Sequence, residues 1–145
     1  MSRQTRSVIR RFAPLALVTA IGISGIICAS CEDELIGLGP SNVVFPDSGV
    51  SYSAHVDALF RQSCAESRYH GGADPAAGLN LETPSYRALM DHHPRLVISM
   101  DGSNSLLILR LTGEVGERMP RQLQPLTNNQ INGIRRWIDE GAINN

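Results

Sequence analysis

The sequence predicts an all-α domain with an apolar helix at each end. Three observations carry that prediction. Apolar residues recur at helical spacing in two segments: Val56, Leu59, Phe60 and Cys64 near the start, and Ile131, Ile134, Trp137 and Ile138 near the end. Helix-start residues stand directly before both segments, and glycine follows the second. No run of strand character stands out between the turn signals, and no internal repeat is visible.

Taken in order, Ser51 to Cys64 is expected as the first helix. Ser51 or Ser53 caps it, and Asp57 lies in its early turns. This places Cys64 at the end of the buried stripe. A loop marked by Gly71, Gly72, Asp74, Pro75 and Gly78 follows. Leu79 and Leu81 flank Asn80 as a short extended apolar pair. Pro84 to Met90 is expected as a short helix capped by Thr83, because proline is tolerated in the first turn, where its missing N–H has no helical partner. Ser103 or Ser105 starts a further helix through Leu111, which Gly113 ends. Val115 to Pro125 has no period and reads as an ordered loop. Thr127 and Gln130 have the spacing of a capping box, so the last helix runs from there to about Glu140, with Gly141 as its stop.

The chain divides into three parts: residues 1–30, 31–49 and 50–145. Arg3, Arg6, Arg10 and Arg11 precede an uncharged run from Phe12 to Ser30, the pattern of an export signal. Ala29 and Ser30 before Cys31 resemble the lipobox of bacterial lipoproteins, which implies a lipid on Cys31. Leucine is more usual than Cys28 at the third position before the modified residue. An uncleaved anchor, since the 19 uncharged residues come close to the roughly 20 that span a bilayer, and a simple cleaved signal peptide are the other readings. All three place the rest outside the cytoplasm; the lipid reading holds it to a membrane, in the periplasm or at the cell surface. Residues 31–49 carry three glycines and two prolines and read as a tether.

Removing residues 1–30 takes away four of the 13 arginines and no acid, so nine face 14 acidic residues, a net charge of −5. That balance excludes a basic nucleic-acid footprint. Processing also removes Cys28 and occupies Cys31, leaving Cys64 without an intrachain partner in an oxidising compartment. Aromatic residues make up only 5% of the chain, and a domain of about 95 residues buries a modest share of its surface. A cofactor with a large apolar face would complete such a core.

The segment Ser63 to Gly72, SCAESRYHGG, has the form of a haem-attachment site with one part exchanged. Such sites place two cysteines before a histidine, usually as C-x-x-C-H. Cys64 and His70 are in place, and Tyr69 stands where the second cysteine belongs. The four residues Ala65 to Arg68 let the chain loop from Cys64 to His70 without a tight turn.

Over about Val50 to Asn145 the sequence resembles the small c-type cytochrome domains of exported bacterial proteins, in the planctomycete-type branch with a C-x4-C-H haem site. SYSAHVDALFRQSC is similar to that branch's first helix and cysteine, and HGGADPAAGLNL to the segment after its histidine. NSLLILRLTG and RMP are similar to its middle helix and methionine loop, and LTNNQINGIRRWIDEGA to its closing helix. The resemblance implies a cytochrome c-like fold, with terminal helices around a haem pocket. It implies a thioether from Cys64 to haem, His70 as proximal iron ligand and Met119 as distal ligand. It implies electron-transfer proteins as partners, and no enzyme activity because both axial positions are filled. Two departures stand out: Tyr69 for the second cysteine, and Ser99 to Gly102 where a Pro-Gly-Asp turn is more common, leaving only Asp101.

Competing assignments follow from the same residues. Met100 is the other candidate distal ligand. His92 and His93, before Pro94, read as a solvated loop, and with His55 they have no spacing of a structural zinc site. Trp137 reads as core, and Arg135 and Arg136 as a solvated face. The alternative function is a haem-free lipoprotein module that keeps the fold for a binding or structural role.

Overall fold

The computed structural model describes residues 41–82 and 84–145. The expected signal segment, the lipid site at Cys31, residues 31–40 of the expected tether and the Thr83 cap lie outside the described residues. Within them the chain is helical, without strands. The α-helices are α1 (Asp57–Ser63), α2 (Tyr86–Met90), α3 (Leu106–Thr112) and α4 (Asn128–Asp139). None of the described helices is long and apolar enough to cross a membrane.

The first helix starts where the cap residue predicts. The Ser51 hydroxyl accepts from the Ala54 N–H at 3.3 Å. The first turn is widened: Tyr52–Val56 is a π-helical turn whose Tyr52 carbonyl accepts from the Asp57 N–H, before α1 continues in normal register. Val56, Leu59 and Phe60 are buried as their spacing requires. The second helix begins later than expected, at Tyr86, with Ser85 as its cap residue. Ser85 does not cap with its side chain. Its buried hydroxyl instead donates to Asp57 Oδ1, and the Tyr52 hydroxyl lies 2.5 Å from it. Asp57 Oδ2 takes Arg61 at 3.0 Å, so the carboxylate is satisfied from both sides.

Helix α4 is the centre of the core. Its capping box forms as predicted, with Gln130 N–H donating to Thr127 Oγ1 and Thr127 N–H donating to Gln130 Oε1. Ile134, Trp137 and Ile138 are almost wholly buried. Trp137 packs against Tyr52 and Tyr86 with ring centroids 5.3 and 6.4 Å apart. The C-terminal residues then fold back: Trp137 Nε1 donates to Ile143 O, Tyr86 to Ala142 O, and Ser53 N–H to Asn145 O.

Two expectations are corrected here. Residues 41–49 are not a free tether. Asn129 grips Phe45 by both backbone groups, at 2.9 and 3.1 Å, and Gln130 Nε2 donates to Ser41 O. Glu140 accepts from the N–H groups of Gly49 and Val50, both at 2.8 Å, and the Phe45 ring is buried against α4. The glycines and prolines that imitate a linker leave backbone groups free, and side chains some 90 positions away satisfy them. Arg135 and Arg136 are also not a solvated face. Both are half-buried, Arg136 donating to Pro46 O and the Arg135 stem pressing on Gly102.

Candidate functional site

Cys64 closes α1. Its N–H donates to Phe60 O at 2.8 Å, and the next residue, Ala65, bonds the same carbonyl. From there to His70 the chain makes a compact knot rather than a slack loop. Tyr69 and Gly71 N–H both donate to Glu66 O, and His70 N–H returns to Cys64 O at 3.1 Å. Gly71 is required for this return: a β-carbon there would lie 2.1 Å from Ala65 O. The expectation of a relaxed loop over Ala65 to Arg68 is thus corrected, because local backbone bonds tighten it.

The His70 ring is oriented from behind. Nδ1 lies 3.2 Å from the carbonyl of Ala76. A carbonyl only accepts, so the proton belongs on Nδ1 and Nε2 keeps its lone pair. Burial holds His70 below the ordinary imidazole value, with the carbonyls of Ala76 and Leu79 opposing and nearby His92 adding to the shift. The neutral ring, the form that ligates metals, is therefore favoured.

Cys64, Tyr69, His70 and Met119 all line one cavity of about 230 Å3, partly open to solvent. Its walls are apolar. Phe60 comes from α1, Leu79 and Leu81 from the extended pair, Leu107 and Leu111 from α3. Met119 comes from the loop after α3, placed by a bond from its N–H to Arg110 O at 2.9 Å. Burial pushes the Cys64 thiol up to about 12, so it stays a neutral S–H at physiological pH. The outer side of Tyr69 carries the Arg68 guanidinium, 5.2 Å from the ring centroid.

Met100, the competing distal ligand, does not line the cavity and is 78% exposed. His93 is exposed, as expected. His92 is different: it is half-buried and lines the cavity, with Nε2 3.0 Å from Ala77 O and Nδ1 3.2 Å from Pro94 O. The only signal for it in the sequence was its place ahead of Pro94, where a fixed turn can aim a side chain. Among the described residues no three His, Cys, Asp or Glu side chains gather as they would around a bare metal ion. The donors are instead spread around an apolar wall.

Comparison with protein-family models, with curated proteins and with solved structures finds no match to this chain.

Proposed function

We propose that the protein is an exported, membrane-tethered electron carrier of the c-type cytochrome kind, with a haem held in this cavity by a single thioether. One observation carries the reading. Met119, some 50 positions further along the chain, meets Cys64, Tyr69 and His70 on one apolar cavity, while Met100 does not. The residues fit such a group chemically. His70 offers a lone pair at Nε2, Met119 a thioether sulfur, and the leucines and Phe60 a surface for a flat apolar body. Donors dispersed around the wall suit a wide macrocycle better than a bare ion.

Each residue then has a defined task. His70, held by Ala76 O, would offer Nε2 to the iron. Met119, positioned by Arg110 O, would offer its thioether sulfur to the iron, which would raise the potential relative to harder ligands. Cys64 would hold the group covalently through a thioether to one vinyl carbon. This tether makes ligation by His70 intramolecular. Tyr69 covers the second vinyl without reacting. The bound iron supplies reversible one-electron exchange, and two protein ligands leave no position for a substrate. The basic start, apolar run and Ala-Ser-Cys junction support export and a lipid on Cys31, with electron-transfer proteins as partners.

The test is the spectrum of the reduced protein in alkaline pyridine, after expression in a host that exports it and attaches haem. One saturated vinyl should place the main band at longer wavelength than in a doubly attached control, and Tyr69→Cys should move it back. A colourless protein, where the control cytochrome matures, would leave the haem-free module as the function.

A further inference from the structure

The cavity wall carries one charge that the apolar fit does not explain. Arg110 lines the cavity from α3, on the same wall as Leu107 and Leu111. It is half-buried. Among the described residues it has neither a carboxylate within ion-pair distance nor a hydrogen-bond acceptor for its side chain. Three other guanidiniums are paired closely with carboxylates: Arg61 with Asp57 at 3.0 Å, Arg68 with Glu66 at 2.9 Å, Arg121 with Glu117 at 2.7 Å. Arg121 also lines the cavity, so the contrast falls within one wall.

Gly116, at φ +69, lies beside the Arg110 head group: a β-carbon there would come within 2.3 Å of Nη1, the flexible end of that side chain. Meanwhile the Arg110 carbonyl holds the Met119 N–H.

A half-buried guanidinium without a counter-ion at an apolar wall is free to take a ligand, and a planar carboxylate meets it with two parallel hydrogen bonds. We infer that Arg110 anchors a carboxylate on the group that fills the cavity, so the cavity selects an apolar body with an acidic edge. Resting on the haem reading above, this assigns Arg110 to a haem propionate and makes it a positioning residue for the ring.

Full-length protein made without haem and kept in detergent is titrated with haemin and with haemin dimethyl ester, whose carboxylates are blocked. Wild type should prefer haemin by about ten-fold or more, the scale of one charge-assisted pair. Arg110→Gln should bind both alike, and Arg110→Lys should keep part of the preference. Because the contrast is made first on the ligand, it does not depend on any variant folding. Equal binding of acid and ester by wild type overturns the anchor and leaves the haem reading standing. A long-chain fatty acid and its methyl ester form the third arm. An Arg110-dependent preference for the fatty acid, with no haemin binding, overturns the haem reading and keeps the anchor. Binding of none of the four overturns both.

Discussion

The ring of Phe45 lies directly over Gly133 of α4, where a β-carbon would come within 2.1 Å of the ring's Cγ. This contact turns a segment that reads as linker into part of the core. Gly133→Ala should therefore lift residues 41–50 off the helix, even though alanine is the better helix former. Phe45→Ala should cost about 3–5 kcal/mol. Limited proteolysis checks both: cleavage within 41–50 should rise sharply in each variant, and unchanged protection would refute the docking.

Gly71 is the second position where space decides. Gly71→Ala would drive a methyl group into Ala65 O and open the knot between Cys64 and His70. Loss of about 2 kcal/mol or more is expected, as for other steric insertions at closed sites. The check is denaturant unfolding beside Gly49→Ala, where a β-carbon meets nothing within 4 Å. Gly49→Ala should cost less, its penalty coming only from the φ of +66.

Tyr52 gives the fold an alkaline limit. Burial first, then Asp57 and Tyr86, raise its phenol from 10.0 to about 12, although the bond to Ser85 opposes them. The neutral phenol is favoured in the fold, so its contribution is complete below pH 10 and is lost as pH rises from 10 towards 12. Two pKa units correspond to about 2–3 kcal/mol. Tyr52→Phe should cost about 1 kcal/mol at pH 7, by removing the donor to Ser85. It should also flatten the loss of stability between pH 10 and 12. Cys64 shifts in the same direction from 9.0, so the flattening should be partial. Melting temperatures over that range decide it.

Cys64 should be a poor nucleophile before haem attachment. With the thiol at about 12, its thiolate population at neutral pH is roughly a thousand-fold below that of a free cysteine. Haem-free protein should react with iodoacetamide at least about a hundred-fold more slowly than the unfolded chain. Similar rates would show that the sulfur is not held in an apolar wall.

For the iron, Met119→Ala in the haem-loaded protein should abolish the weak near-infrared sulfur-to-iron band and lower the potential. Met100→Ala should leave both unchanged. The reverse pattern would move the ligand to Met100 against its exposure.

Much of this protein is local in origin, and that part was legible in the sequence. The capping box of Thr127 and Gln130, the stop at Gly113, the buried faces of α1 and α4, and the tight Leu79–Leu81 pair each depend on residues a few positions apart. The candidate set of Cys64, Tyr69, His70 and Met119 was legible as well, through motif and resemblance. What tertiary structure decided is non-local. Asn129, Gln130 and Glu140 satisfy the backbone of residues 41–50 across about 90 positions, so a linker composition became a docked strap. Ser85 left its expected surroundings to join Tyr52 and Asp57 in a buried chain of hydrogen bonds. His92 and Arg110 reached the cavity wall only because two separate segments close around it. Periodicity records which face of a helix is apolar. Only packing determines which distant groups complete its hydrogen bonds, and which charge is left facing a cavity without a partner.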